Sequence, residues 1–206
     1  LDKGSVADGI LTCHWHHARF DLCTGGSFDL WADDTPRFPV EVRNGDVYVL
    51  DQGTGRVQIF SPSGTYKRKW GSQGSGDEQL SNPMDIFIDN QDNVFIADLG
   101  NDRIVRYTTD GSFVSTWGSR GTRDGEFIDP RGVFVDFEGN VYVADRGNHR
   151  LTKFTPDGVF LEKTGSFGSG DGEFIEPIDL VVNRNLSIYI ADEGNHRVQK
   201  IRFIED

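Results

Sequence analysis

The chain has 206 residues, enough for one large β domain or two small ones with a substantial core. Its formal net charge of −12 at pH 7 repels phosphate backbones, which excludes a general nucleic-acid or anionic-membrane surface. Its sequence has no apolar run of about 18 residues, so we expect no membrane span, and the compartment stays open. Since the chain begins at Leu1, we expect a longer parent protein.

The first distinctive segment is CHWHHARFDL at residues 13–22, which combines a thiol with three imidazoles. Together with the residues that follow, it resembles the C-terminal half of a Rieske iron-sulfur domain, over about residues 9–49. The matching features are Cys13-x-x-His16, Phe20-Asp21-Leu22, Thr24-Gly25-Gly26 and a hairpin from Pro39 to Val49 around Asn44-Gly45. The Asn-Gly pair between apolar strands predicts that hairpin by its own chemistry.

A Rieske centre holds one iron by two thiolates and the other by two imidazoles. The resemblance implies that Cys13 supplies one thiolate and His16 one imidazole. The family's other Cys and His come from an earlier loop, which this chain lacks before Cys13. We therefore expect a [2Fe-2S] cluster in the full-length parent and none in this chain alone. A zinc or mononuclear iron site that adds His17 and Cys23 stays a minor alternative.

The rest of the chain is an internal repeat. The segments VYVLDQGTGRVQIF, VFIADLGNDRIVRY, VYVADRGNHRLTKF and IYIADEGNHRVQKI share an aspartate and an arginine five residues later, and each copy begins 47 residues after the one before it. The aspartates are Asp51, Asp98, Asp145 and Asp192, and the arginines are Arg56, Arg103, Arg150 and Arg197. Prolines and turn glycines recur at the same interval, so the chain is built from equivalent units.

Each unit has the pattern of four short strands. In the third unit we predict strands at 132–136, 141–144, 151–155 and 159–164. The turn Pro156-Asp157-Gly158 has proline to preset φ and glycine to take the left-handed position. Four strands every 40 to 50 residues are typical of a β-propeller blade, which must stack on neighbours because one blade cannot bury both of its faces.

The units resemble NHL repeats over about residues 47–204. The closest matches to the Asn-His-Leu motif are Asn148-His149-Arg150-Leu151 and Asn195-His196-Arg197-Val198. The expected fold is all-β: NHL-type propeller blades, about 3.5 to 4 of them, in an open arc or incomplete propeller, with a small N-terminal Rieske-like β segment. We place the Rieske-like remnant at residues 1–46 and the blades at residues 47–206.

The last unit ends after its third strand, which leaves the closure of the ring open. A strand at residues 18–23 could fill the gap, and self-association of two chains could complete the propeller. We favour an open arc.

The repeated aspartates and arginines are expected to have structural roles, because a catalytic carboxylate would not recur in every blade. His149 and His196 fall in adjacent blades rather than in one metal site. Trp70 and Trp117 are expected to pack between blades. We identify no catalytic residues, although a full-length parent could be an oxidoreductase component.

The sequence therefore predicts an interaction scaffold that binds a protein or redox partner through its propeller loops, fused to half of a Rieske-type electron-transfer module. A non-catalytic binding propeller without metal is the first alternative. A metal-dependent propeller enzyme is the second. No nucleic-acid partner is expected.

Overall fold

The structure is a computed structural model that describes residues 4–7, 10–13, 19–21 and 38–203. In that part of the chain every regular element is a β-strand or a short 3-10 turn. No helix there is long and apolar enough to cross a membrane. The predicted all-β class is confirmed.

The strands form five antiparallel sheets. Strands β1 (Gly4–Ala7), β2 (Ile10–Cys13) and β3 (Arg19–Asp21) pair in that order. Blade 1 contains β4 (Val40–Arg43), β5 (Asp46–Asp51), β6 (Arg56–Phe60) and β7 (Tyr66–Trp70). Blade 2 contains β8 (Pro83–Ile88), β9 (Asn93–Asp98), β10 (Arg103–Thr108) and β11 (Phe113–Trp117). Blade 3 contains β12 (Pro130–Val135), β13 (Val141–Asp145), β14 (Arg150–Phe154) and β15 (Phe160–Thr164). Blade 4 contains β16 (Pro177–Val182), β17 (Ile188–Asp192) and β18 (Arg197–Ile201).

In blades 2 to 4 a 3-10 turn joins the second strand to the third. These turns are Leu99–Asn101, Arg146–Asn148 and Glu193–Asn195. The first strand of each blade, called the inner strand here, packs against the inner strand of the next blade: β4 with β8, β8 with β12 and β12 with β16. The predicted arrangement of NHL-type propeller blades in an open arc is therefore confirmed.

Burial follows position within the blade. Strand β13 is buried along its whole length, because the neighbouring blades cover both of its faces. The outermost strand β7 is exposed at four of its five residues, where YKRKW presents charged side chains along the free edge. The second strand of each blade therefore has few polar residues, while the outer strands alternate or are charged.

The Asn44-Gly45 hairpin is confirmed, with φ of 52° at Asn44 and 82° at Gly45. It joins β4 to β5, so it supplies the first two strands of blade 1. Residues 40–46, which the sequence grouped with the N-terminal segment, therefore pair within the first blade. The physical reason is that β5 is buried and needs a hydrogen-bonded neighbour on its inner side.

Strand β3 pairs with β2 and not with the last strand of blade 4. Of the predicted segment 18–23, the described residues 19–21 therefore do not add a fourth strand to β16–β18, which form a three-stranded sheet among the described residues. This pairing favours the open arc over the alternative in which an N-terminal strand fills the gap.

Tryptophans pack between blades, as predicted. Trp70 ends the outer strand of blade 1, and its ring centroid lies 4.6 Å from that of Tyr107 in blade 2. Trp117 of blade 2 lies 6.1 Å from Phe154 of blade 3. Each indole also covers a turn glycine of the next blade: a Cβ at Gly158 would lie 2.5 Å from Trp117. The repeated tryptophan of one blade therefore packs directly on the repeated turn glycine of the next blade.

Candidate functional site

The structure shows little of the predicted cluster ligands. Cys13 is the last residue of β2, and only its backbone is described. His16 lies outside the described residues, as do His14, His17 and Cys23.

The repeated aspartate and arginine meet in a buried hydrogen-bond network, best seen in blade 3. Asp145 Oδ2 accepts from Arg150 Nε at 2.8 Å and from Asn148 Nδ2 at 2.8 Å, while Oδ1 accepts from the amide of Ile128 at 2.9 Å. The side chain of Asp145 has no exposed surface. This carboxylate therefore joins its own turn to the chain that enters the blade.

Blades 2 and 4 repeat the network. Asp98 accepts from Asn101, Arg103 and the amide of Ser81. Asp192 accepts from Asn195, Arg197 and the amide of Ile175. Blade 1 keeps the pair between Asp51 and Arg56 at 3.0 Å, and Gln58 donates to the same carboxylate oxygen.

The arginines also hold the loops that connect one blade to the next, called the inter-blade loops here, at residues 71–82, 118–129 and 165–176. Arg150 Nη1 donates to the carbonyl of Thr122 at 2.8 Å, and Nη2 donates to those of Arg123 and Glu126 at 3.0 and 2.8 Å. Arg103 and Arg197 donate to the equivalent carbonyls of their own loops. The planar guanidinium, with five N–H donors, suits this arrangement.

The asparagines add a second attachment. Asn101, Asn148 and Asn195 donate to the carbonyls of Gly74, Gly121 and Gly168, at 3.0, 2.9 and 2.9 Å. The backbone of every inter-blade loop is therefore tied to the blade that follows it, and the held carbonyls with their asparagine and arginine donors are called the base of the loop here.

The pKa values of these carboxylates follow from burial and hydrogen bonding. Burial raises the pKa of Asp98 and Asp145, although hydrogen bonds from asparagine, arginine and backbone amides act in the opposite direction. Burial also pushes the pKa of Asp192 upward, but there the hydrogen bonds outweigh it and the pKa is lowered. The aspartates of this network therefore hold the turns and the loops, and their oxygens already accept hydrogen bonds from the protein.

The two repeated histidines cap their 3-10 turns in the left-handed conformation, with φ of 53° at His149 and 51° at His196. His149 Nδ1 accepts the amide of Glu176 at 3.1 Å. Asp102 has the equivalent place in blade 2, where its carboxylate accepts the amide of Asp129 at 2.9 Å. Among the described residues, no three His, Cys, Asp or Glu side chains are grouped to hold a metal ion.

The candidate functional site is the exposed third residue of each inter-blade loop, called the tip residue here because its side chain points away from the held backbone into solvent. One repeat position is Gln73 in the first loop, Arg120 in the second and Phe167 in the third, and all three side chains are exposed. Each of these residues forms an isolated parallel β-bridge with a buried residue of its own loop. The pairs are Gln73 with Leu80, Arg120 with Phe127 and Phe167 with Phe174. Arg120 also lies 3.1 Å from Asp102, and the ring of Phe167 lies 5.0 Å from that of His149.

Sequence reasoning missed this surface because it looked for residues that recur. The sequence feature that indicates this surface is a position that varies within a strict repeat: it is an amide in Gln73, a cation in Arg120 and an aromatic ring in Phe167. The same test finds a second place, the second residue after each repeated proline, which is Asp85, then Gly132, then Asp179.

Comparison with known proteins agrees with the fold. The family model described as DUF5128, 6-bladed beta-propeller, matches residues 38–119. The NHL repeat model matches residues 127–154 and 174–201. The chain therefore carries NHL repeats within propeller blades. A search of curated proteins finds no match.

Several solved structures are similar. Virginiamycin B lyase from Staphylococcus aureus is 11% identical with a TM-score of 0.58, over 81% of this chain and 55% of that one. An auxiliary nutrient binding protein from Bacteroides thetaiotaomicron is 17% identical with a TM-score of 0.62, over 79% and 46%. A chain of a nidogen/laminin complex is 18% identical with a TM-score of 0.61, over 90% and 66%.

These identities are too low to carry function, so the likeness concerns the fold. The chain spans about half the length of the first similar structures, 51% of a streptogramin B lyase for example.

Proposed function

We propose that the blades form a non-catalytic binding scaffold whose inter-blade loop tips contact a protein or small-molecule partner. The observation that carries this proposal is the contrast within one loop: a base held by arginine and asparagine, and an exposed tip whose residue changes from Gln73 to Arg120 to Phe167. A fixed base lowers the entropy lost when a tip binds.

The chemistry of the tips supports a protein or small ligand. Arginine and aromatic side chains are the types that most often dominate binding energy at interfaces. Phe167 is 67% exposed, so its ring is available to a partner. The net charge of −12 opposes a nucleic-acid partner.

The named neighbours support binding as well as catalysis. Two of the similar structures are a nutrient binding protein and a nidogen/laminin complex, and one is a lyase. A metal-dependent enzyme therefore stays the weaker proposal, because no grouped metal-ligand set occurs among the described residues that would favour it.

The test is a comparison of three tip variants, Gln73→Ala, Arg120→Ala and Phe167→Ala, against Phe137→Ala. Phe137 is 64% exposed in the β12–β13 turn, so it matches Phe167 in type and exposure but lies outside the inter-blade loops. A partner identified by cross-linking should bind wild type and Phe137→Ala equally and bind the Arg120 and Phe167 variants at least about tenfold more weakly. Equal binding by all variants would reject the loop tips as the site.

Self-association is a proposal of the same class, supported by the far face of blade 4. Val198 is 71% exposed there, whereas Ile104 and Leu151 at the same repeat position are fully buried by the following blade. If two chains associate through this face, Val198→Asp should shift the mass measured by light scattering to that of the monomer. A wild-type mass of one chain at all concentrations would exclude it.

An electron-transfer module in the full-length parent is the second candidate function, supported by the Cys13-x-x-His16 motif. The donor set does not fit a complete cluster, because the resemblance takes the second Cys and His from a loop before Cys13, and residues 1–12 contain neither residue type. Cys13 and His16 therefore supply half of the ligands, and the others would have to come from elsewhere.

A further inference from the structure

The inner strands carry three carboxylates that the repeated network does not use. Glu41 lies on β4, Asp85 on β8 and Asp179 on β16, and we call them the inner-strand carboxylates. Asp85 and Asp179 share one repeat position with Gly132 of β12. A Cβ at Gly132 would lie 2.8 Å from the Cα of Asp179, so the glycine permits a close approach of β12 and β16.

Asp85 and Asp179 sit where each inner strand breaks its pairing register. The pairing of β8 with β9 shifts between Pro83 and Asp85, and that of β16 with β17 shifts between Pro177 and Asp179. Such a bulge leaves an amide without a ladder partner. Each aspartate supplies the missing acceptor to its own next residue: Asp85 Oδ1 to Ile86 at 2.9 Å and Asp179 Oδ1 to Leu180 at 2.8 Å.

Blade 3 has the same bulge but no carboxylate of its own, because the position is Gly132. The amide of Val133 instead donates across the blade boundary to Asp85 Oδ2 at 2.8 Å. A single carboxyl group therefore satisfies amides in two blades and ties β8 to β12.

The charged groups that act on Asp85 are of its own sign. Burial raises the pKa of Asp85 well above its ordinary range, the carboxylates of Asp179 and Glu41 raise it further, and the amides of Val133 and Ile86 oppose them. Burial raises the pKa of Asp179 as well, even though solvent reaches its side chain, and raises that of Glu41 to about 7.

The nearest cations on the same strands are engaged elsewhere. Arg43 of β4 pairs with Asp92, and Arg131 of β12 lies 3.4 Å from Glu193. Across from Glu41 on β5 stands Tyr48, whose hydroxyl lies 3.5 Å from the carbonyl of Thr109. Ionisation of the inner-strand carboxylates would therefore place like charges close together in partly buried positions.

We propose that the inner-strand carboxylates act as a proton-dependent lock between blades, which holds the inner strands together while protons are bound and loosens them on ionisation. The proposal does not depend on the loop tips. The sign follows from linkage: a carboxyl group that binds its proton more tightly in the folded state loses stabilising effect as pH rises through the folded pKa. For Glu41 the window runs from its ordinary 4.5 to about 7.

The experiment measures urea unfolding by tryptophan fluorescence between about pH 5 and 8, for wild type, Glu41→Gln and Asp85→Asn. The matched control is Glu78→Gln, an exposed glutamate of the first inter-blade loop. In wild type and in the control, the unfolding equilibrium constant should rise by on the order of tenfold or more across this range. In Glu41→Gln the rise should be clearly smaller.

Asp85→Asn removes the charge and keeps one oxygen acceptor, for the amide of Val133 or that of Ile86 but not for both, so it should lower stability at every pH and also flatten the profile. If the unfolding equilibrium constant depends on pH in the same way for wild type and Glu41→Gln, the proposed lock is wrong. If Asp85→Asn fails to fold, the comparison of wild type with Glu41→Gln is sufficient to test the lock. Stabilisation of wild type but not Glu41→Gln by Ca²⁺ at about pH 8 would identify a cation site and would also overturn it.

Discussion

The base and the tip of each inter-blade loop lie a few residues apart and follow opposite rules. At the base, the same asparagine and arginine donors act in blades 2, 3 and 4, on carbonyls that recur at the repeat interval. At the tip, Gln73, Arg120 and Phe167 share a position and have no chemistry in common. The asparagine and arginine donors of the base are buried or half-buried, and the tip residue is exposed.

This difference distinguishes the residues that stabilise the fold from the residues that are available to bind a partner. A donor that recurs in every blade must satisfy something that recurs in every blade, which here is the backbone of the loop. A position that varies inside a strict repeat is free of that requirement. Partner contacts are therefore expected at the tips, and losses of stability are expected at the base.

The largest expected effect is at the base. Asp145→Ala leaves the guanidinium of Arg150 and the amide of Ile128 without their acceptor in a buried position, and should lower the free energy of unfolding by about 3–5 kcal/mol in urea denaturation. Asp157→Ala is the control, since Asp157 is 84% exposed while it pairs with Arg106 at 2.9 Å. It should cost less than about 1 kcal/mol. Equal losses would contradict a special role for the base.

The second effect separates contact from backbone strain in the turns. Gly158 has φ of 84°, and a Cβ there would lie 2.5 Å from Trp117, so Gly158→Ala should cost about 2–3 kcal/mol. Gly125 has nearly the same φ, 81°, with no atom within 4 Å of a Cβ. Gly125→Ala should therefore cost only about 1 kcal/mol. The difference between the two thermal or urea midpoints measures the contact with the tryptophan.

The third effect is small and sharpens the contrast at the tip. Phe167→Ala should change the free energy of unfolding by less than about 0.5 kcal/mol because the ring is exposed, and Arg120→Ala by less than about 1 kcal/mol because its pair with Asp102 is partly exposed. Phe174, the buried bridge partner of Phe167, provides the comparison, and Phe174→Ala should cost about 3–5 kcal/mol. A tip variant as damaging as the buried one would assign the tip to the scaffold.

The smallest effect concerns the N-terminal motif. After reconstitution with iron and sulfide under reducing conditions, the 206-residue chain should show no stoichiometric Rieske-type visible absorbance, because Cys13 and His16 are half of a ligand set. Urea unfolding of the blades should be unchanged in His16→Ala. A full cluster spectrum that disappears in His16→Ala would contradict the expected absence of a cluster in this chain.

Much of the fold was predictable because spacing and turn chemistry are local. The Asn44-Gly45 hairpin, the Pro156-Asp157-Gly158 turn and the strands near residues 141–144 and 159–164 occur where the pattern placed them, within one residue for the strands. The predicted domain boundary at residue 46 does not coincide with the edge of the first blade, since β4, which precedes residue 46, belongs to blade 1. Strand pairing is a long-range property, and the hairpin pattern suited either assignment.

The candidate site was less predictable, because exposure and neighbours decide it. The repeat shows that Asp98 recurs and that the position of Asp85 varies, but only the packed blades show that Asp85 lies near Asp179 and Glu41, while Asp98 accepts a hydrogen bond from Arg103.

The amino-acid sequence alone determined the all-β class, the repeat of 47 residues and the turns, because each depends on residue types at short range. Only the tertiary structure decided which carbonyls Arg103, Arg150 and Arg197 hold, and which carboxylates meet on the inner strands. The physical reason is that these contacts join segments 24 to 94 residues apart in the chain, and the packing of one blade on the next brings them within reach.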